Sequence, residues 1–413
     1  VHYTLDMRRS CLVSFLVLAA CSQAPQAPVD VGPTWHKDVQ PIISRRCGSC
    51  HREGGIGPFA LTTAAEAKAT ASALLDSVKS RRMPPWMPSE SCEPLRDSRR
   101  MPQSEIDTLE AWVTSGAPEG NAADQQPQTA QGVLPWVDAT LEMSEAYTPT
   151  RSRGPDDYRC FILDPKLGGP QDVIGFQVLP GVTREVHHVL FYSVPEERAK
   201  ALEDASPGFG WECFGGPGTD APKLIGGWVP GTDVVRFPGQ TGLRMFSGDV
   251  LVMQVHYNLL QGEPAPDRTK VRLQYARNPV PYSAQMMPLV ESDFVIPPQG
   301  KGHSTTMELE LPVPVQLWGV VPHMHTKGKT IKVELLPKAG QAGDSRCLMN
   351  IPQWDFHWQE FYFYESRTGL RLEAGQRLRL SCSWDNPTDK RVRWGEGTDD
   401  EMCLAFIYAT GAL

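Results

Sequence analysis

Hydrophobic and polar positions change rhythm near residue 133. Before it, apolar residues recur at helical spacing. TWHKDVQPIISRRCGSCH (34–51) reads as a short amphipathic helix running into a loop, and AAEAKATASALLDSVKS (64–80) as one Ala-rich helix. SEIDTLEAWVTSG (104–116) has a start signal in Ser104 with Asp107 three residues on. It ends at Gly116 and turns Leu109 and Trp112 inward. After 133 the period is two. DVIGFQVL, EVHHVLFYSV, DVLVMQVHYN, VQLWGVVPHMH, TIKVELLP, RLRLSCSW and MCLAFIYA alternate in many places, and Gly and Pro separate them. The pattern predicts a multidomain chain: a small all-α domain followed by two all-β antiparallel sandwiches. Their seam is expected around 283–299, with Pro297-Pro298 in it.

A chain of 413 residues is long enough for two or three full-sized cores. The net charge of −8 leaves no electrostatic footprint for nucleic acid. Residues 1–21 stand apart as a targeting segment. Residues 1–6 read as upstream of the start. Met7 opens a basic region with Arg8 and Arg9, and the apolar run 11–20 is about half the length that crosses a bilayer as a helix. Leu18-Ala19-Ala20-Cys21 resembles a bacterial lipobox. That implies a lipid anchor on Cys21 and a lipoprotein of the cell envelope facing the periplasm. Ser22 resembles a signal for the outer membrane. The plainer alternative is a cleaved leader with an incidental Cys. Ten cysteines agree with export. The expected segments are 1–21 signal and lipobox, 22–32 tether, 33–119 helical domain, 120–132 linker, 133–285 first sandwich and 286–413 second sandwich.

Cys47-Gly-Ser-Cys50-His51 has the spacing at which two thiols add to haem vinyls and the next His reaches the iron, so a covalently bound haem c is expected. A bare C-x-x-C would be a redox disulfide. Met83, Met87 and Met101 follow. RRMPPWMP resembles the M-P-P-W stretch of related haem modules, in which the first Met is the ligand, so Met83 is the expected sixth ligand. His36 reads as a surface or capping residue.

Further on, His187 and His188 are adjacent, His256 lies in QVHY, His323 and His325 alternate, and Met402 lies in DDEMC. Adjacent residues on a strand face opposite ways, so His187 and His188 can share a metal only where the backbone bends or a strand ends. His323 and His325 are expected on one face of a strand, with Met324 turned into the core. Met402 alone would read as core. Imidazoles with a thioether suit copper in both oxidation states. Zinc competes for histidines, but the Met and the absence of carboxylates close to the His motifs favour copper. His303 and His357 read as structural. There is no nucleophile elbow or phosphate loop.

Over 155–413 these motifs, six ligand positions in order, resemble the copper type II, ascorbate-dependent monooxygenases. That is the family of peptidylglycine α-hydroxylating monooxygenase and dopamine β-monooxygenase. The helical part resembles a cytochrome c domain fused in front. The resemblance implies jelly-roll-like sandwiches and two coppers per chain. His187, His188 and His256 would hold the copper that stores and delivers an electron. His323, His325 and Met402 would hold the one at which O2 reacts with a substrate C–H bond. It also implies a Cys382–Cys403 bridge. Cys160–Cys213 is a plausible second bridge, and spacing assigns no partner to Cys92 or Cys347.

Two positions depart from the family. Val321 stands where the peptide-amidating member has a carboxylate-gripping Arg, and Phe406 where both animal enzymes have Tyr. A neutral or apolar small organic substrate is the consequence. The haem is expected to replace ascorbate. It would take electrons from a periplasmic or membrane donor, at a local concentration set by the 120–132 linker. A non-catalytic copper-and-haem electron carrier or copper-handling lipoprotein is the alternative. A protein-interaction lipoprotein is a third, weaker reading.

Overall fold

The structure is a computed structural model that describes residues 1–2, 32–53, 55–125, 133–151, 154–220, 222–260, 262–397 and 399–411. The expected lipobox with Cys21, nearly all of the tether and residues 126–132 of the linker lie outside the described residues. No helix among the described residues is long and apolar enough to cross a membrane.

The N-terminal part is helical. A π-wound turn, Trp35–Val39, runs straight into the helix Gln40–Arg46. The single helix expected over 64–80 is two, Ala64–Ala69 and Ala71–Lys79. Thr70 separates them. Its hydroxyl turns back onto the Glu66 carbonyl at 3.1 Å, a local bond that competes with the helix. The helix Gln103–Thr114 buries Ile106, Leu109 and Trp112. Pro102 caps it, so Ser104 lies inside the helix and is not its N-cap. These elements share a core in which Trp35, Ile43, Leu74, Met101, Leu109 and Trp112 are buried.

Between the last two helices, residues 86–100 form a strap across the second β region. Ser89 N donates to the Asn350 carbonyl at 2.8 Å, Arg96 N to Phe363 at 2.9 Å, and Glu365 N to Pro94 at 3.0 Å. Trp86 meets Tyr362 edge-on at 5.4 Å. A disulfide joins Cys92 to Cys347, and Arg99 pairs with Glu360. The helical part is therefore clamped to the sandwich by its own chain. The strap is thus a tie between the two parts in addition to the 120–132 linker expected to set their local concentration.

The rest of the described chain is mostly β. A five-stranded sheet has the spatial order Trp211–Glu212, Asp156–Leu163, Asp249–Asn258, Val186–Pro195, Lys223–Trp228. A four-stranded sheet has the order His303–Glu310, Arg377–Trp384, Gly328–Leu336, Arg346–Ile351. Each covers one half of a ten-stranded sheet that runs through both regions. Phe161, Phe176, Phe191 and Met253 fill the first core, and Leu317, Val333, Leu380 and Ile407 the second.

The halves of the long sheet join through a short parallel pairing of Tyr282 and Ser283 with Thr241 and Gly242. The strand Tyr282–Glu291 continues from that joint into the second half, alongside Cys403–Thr410. The boundary expected at 285/286 thus falls inside one strand. Cys382–Cys403 ties the two sheets of the second region, and Cys160–Cys213 staples the outer edge of the first.

Candidate metal centres

His188 and His256 are direct cross-strand partners on Val186–Pro195 and Asp249–Asn258. The register between these strands slips between Val186 and His188, making His187 the extra residue of a β-bulge. The bulge removes the geometric objection to an adjacent pair. Both imidazoles now turn to one side, with His187 Nδ1 at 3.4 Å and His256 Nδ1 at 3.3 Å from His188 Nδ1. One ligand atom from each of the three lies within 4.8 Å of the others. The far nitrogen of His256, Nε2, is held by Asp156 Oδ1 at 2.9 Å. Tyr158 stacks flat on the His256 ring at 4.1 Å. A carboxylate is therefore present beside the histidines, contrary to the expectation. It sits behind a ring, where it fixes the orientation of His256 and leaves Nδ1 turned towards the other two histidines.

The second group is built at a strand end. The strand Val315–His323 stops at His323, so His325 lies just past it and not on the same strand face as expected. His323 pairs with Leu404 on the neighbouring strand. Continued two residues, that register sets His325 opposite Met402. Met324 is fully buried, as its alternation predicts. His323 Nδ1 meets Gln359 Oε1 at 2.5 Å, and His325 Nδ1 donates to the Asp400 carbonyl at 3.1 Å. Both rings thereby present Nε2. Glu401 holds the turn: one carboxylate oxygen accepts from His325 N at 3.0 Å and Trp384 Nε1 at 2.9 Å, the other from Lys327 N at 2.5 Å.

Burial, then the neighbouring histidines, push His187 down to about 3 and His188 well below its ordinary value. The same causes bring His323 down to about 3. Burial takes His325 to about 4, against the Asp400 hydrogen bond. All four are neutral at pH 7, the form that donates a lone pair to a metal.

The two groups open on one cavity of about 290 Å³, with His188, His256, His323, His325 and Met402 in its wall. Val321 and Phe406 are cross-strand partners in that wall, beside Met286, Pro288 and Leu404. Phe356 touches both groups: its ring stacks on His187 at 5.0 Å and meets His325 edge-on at 6.0 Å.

Sequence reasoning passed over Asp156, Tyr158, Phe356 and Gln359. Each acts on a histidine distant in sequence, and no local motif marks them. His303 packs near Trp384, and His357 lies at the surface beside Asp355. His36 sits beside Glu119 at 3.4 Å.

In the helical part, Cys47 and Cys50 are half-buried free thiols, and burial pushes Cys47 up to about 12. His51 is nearly buried, and its Nδ1 faces the Phe59 carbonyl at 3.0 Å, which leaves Nε2 for an iron. A side chain at Gly57 would meet His51 Nδ1 at 2.8 Å, so the loop closes over the ring only with glycine there. The donor set and the orientation of the ring fit a haem. Of the candidate sixth ligands, Met101 belongs to the helical core. Met87 accepts from Asp355 N at 3.1 Å. Met83 is half-buried just beyond the helix Ala71–Lys79.

Residues 282–410 match the copper type II ascorbate-dependent monooxygenase family in its C-terminal domain. The chain is also similar to MOXD1 homolog 1 of Drosophila melanogaster, 22% identical in an alignment 280 residues long that covers 60% of this chain and 39% of that protein. It thus spans about two fifths of that relative. Both findings support the copper type II monooxygenase family. Among solved structures, PNGF-II overlaps 66% of this chain and 65% of its own at 10% identity and a TM-score of 0.27. The major capsid protein P2 of bacteriophage PM2 overlaps 67% and 97% at 8% identity and a TM-score of 0.27. Likeness at that level carries no argument.

Proposed function

We propose that this chain is a copper-dependent monooxygenase that hydroxylates a C–H bond of a small apolar molecule with O2, using electrons relayed by a fused c-type haem. The observation that carries the reading is the shared cavity: two of the three convergent imidazoles, the second imidazole pair and Met402 all line it. Copper bound there would supply one-electron transfer and reaction with O2, and the thioether favours its reduced state.

The residues divide the work. His187, His188 and His256 form an all-nitrogen site backed by Asp156, suited to storing and delivering an electron. His323, His325 and Met402 form the oxygen site, and Gln359 and Glu401 hold its geometry. Val321 and Phe406 offer a substrate no charge and no hydrogen bond, so this part of the wall, with Met286, Pro288 and Leu404, suits an apolar molecule. Cys47 and Cys50 would hold a haem covalently and His51 and Met83 would bind its iron, and a His/Met haem would supply the raised potential that suits a periplasmic donor. A lipid on Cys21 would hold the protein at the envelope, facing the periplasm and on the outer membrane.

The test is oxygen uptake across neutral and carboxylated substrates, with a reduced cytochrome or ascorbate as donor. The reading expects turnover with neutral apolar substrates and with the cytochrome as sole donor. Turnover with ascorbate alone would remove the haem from the mechanism. No oxygen uptake by copper-loaded protein with either donor would favour the electron carrier.

A further inference from the structure

We infer that the segment Trp354–Phe361 is the route by which electrons pass from the haem loop into the histidine groups, with Trp358 at its entry and Gln359 at its exit onto His323. The inference rests on the copper-and-haem reading above.

The haem-binding loop approaches this segment across the turn that holds Gly231 and Asp233, and the strap touches the segment directly. Arg52, next to the ligand His51, lies 3.7 Å from Asp233. Two residues before Asp233, Gly231 is pressed from both sides. A Cβ there would lie 3.4 Å from Ile56 of the haem loop and 3.1 Å from the Trp358 ring. Glu360 takes the ion pair from Arg99 of the strap. The far side of the same eight residues touches both histidine groups. Gln359 Oε1 meets His323 Nδ1 at 2.5 Å, and Phe356 stacks on His187 at 5.0 Å. Gln359 is itself fixed by donating from Nε2 to the Phe356 carbonyl at 2.9 Å. Trp354 anchors the segment by donating to the His325 carbonyl at 3.1 Å. One short, well-held stretch therefore faces the haem loop across Gly231 on one side and contacts a ligand of each group on the other.

The step is a one-electron transfer. Ferrous haem becomes ferric, one cupric ion becomes cuprous, and no bond forms or breaks. An external one-electron donor reduces the haem beforehand.

The experiment uses the full holoprotein without oxygen, with haem ferric and copper cupric, and a flash-generated flavin radical as donor. The ferrous haem band should rise, then decay in a first-order step that does not depend on protein concentration, as the cupric resonance falls. Trp358→Leu and Gln359→Leu should each slow that decay by about tenfold. Trp358→Phe should decay near the wild-type rate. The haem potential and copper content of the Trp358 variants should equal those of the wild type. Wild-type decay rates in both Leu variants, with both metals bound, would overturn the inference, as would a rate proportional to protein concentration. Metal analysis of the same samples separates this from failure of the underlying reading: haem without copper would sink both.

Discussion

The two histidine groups present opposite nitrogens to one cavity. In the first, a β-bulge gathers three Nδ1 atoms, and Asp156 holds the remote Nε2 of His256. In the second, Gln359 and the Asp400 carbonyl occupy the Nδ1 atoms of His323 and His325, leaving Nε2 free in the cavity wall that Met402 shares. Which nitrogen a histidine offers is thus decided by the partner behind it. On the proposed reading the difference would suit different tasks: an all-imidazole site to pass electrons, and a thioether site to favour the reduced copper that would meet O2.

Removing a ligand from either group should separate them most sharply. His188→Ala takes out the ring that touches both of its neighbours, so copper per chain should fall from two to one. Met402→Ala should reduce hydroxylation to background while haem oxidation and reduction continue. Metal analysis and oxygen uptake read the two outcomes. Equal copper loss in both variants would mean that the groups form a single site.

Next in size is Glu401→Leu. Glu401 is fully buried, and its replacement leaves the His325 and Lys327 amides and the Trp384 indole without an acceptor. A loss of about 2–4 kcal/mol in denaturant stability is expected, and the three-histidine copper should remain. Asp156→Asn should act on the other group alone, weakening its copper affinity by about 10–100-fold in chelator competition. Unchanged affinity would mean that Asp156 does not orient His256.

The smallest effect is with pH. In the metal-free protein, His187 and His323 stay neutral down to about 3, and His325 down to about 4. In the unfolded chain they take up protons near 6.5. The unfolded state therefore binds more protons in that window, and stability should fall as pH drops from about 6.5 towards 4. Melting temperatures of the metal-free protein should show this slope, and His323→Gln should flatten it. An equal slope in the variant would place the acid sensitivity elsewhere.

Several features were legible along the chain because local pattern carries them. The helical period of 104–116 placed Leu109 and Trp112 inside, and strand alternation placed Met324 in the core. The six candidate ligands were visible because QVHY and DEMC are short local motifs. What was not legible depends on contacts between distant segments. The bulge at His187 arises from register against Asp249–Asn258, which no single strand encodes. Asp156 lies 100 residues from His256. Phe356 and Gln359 come from a stretch with no periodic signal. Cys92–Cys347 spans 255 residues, beyond any spacing rule, so the strap and the clamping of the helical part stayed hidden. The shared sheet was missed for the same reason: four residues in a parallel pairing join its halves.

The most direct test of the two-site account is the copper bound per chain, measured with haem iron on purified holoprotein lacking residues 1–21. Two coppers and one haem iron are predicted. A haem-loaded protein that takes up no copper would contradict the account, and would leave the histidines and Met402 as packing around an empty cavity.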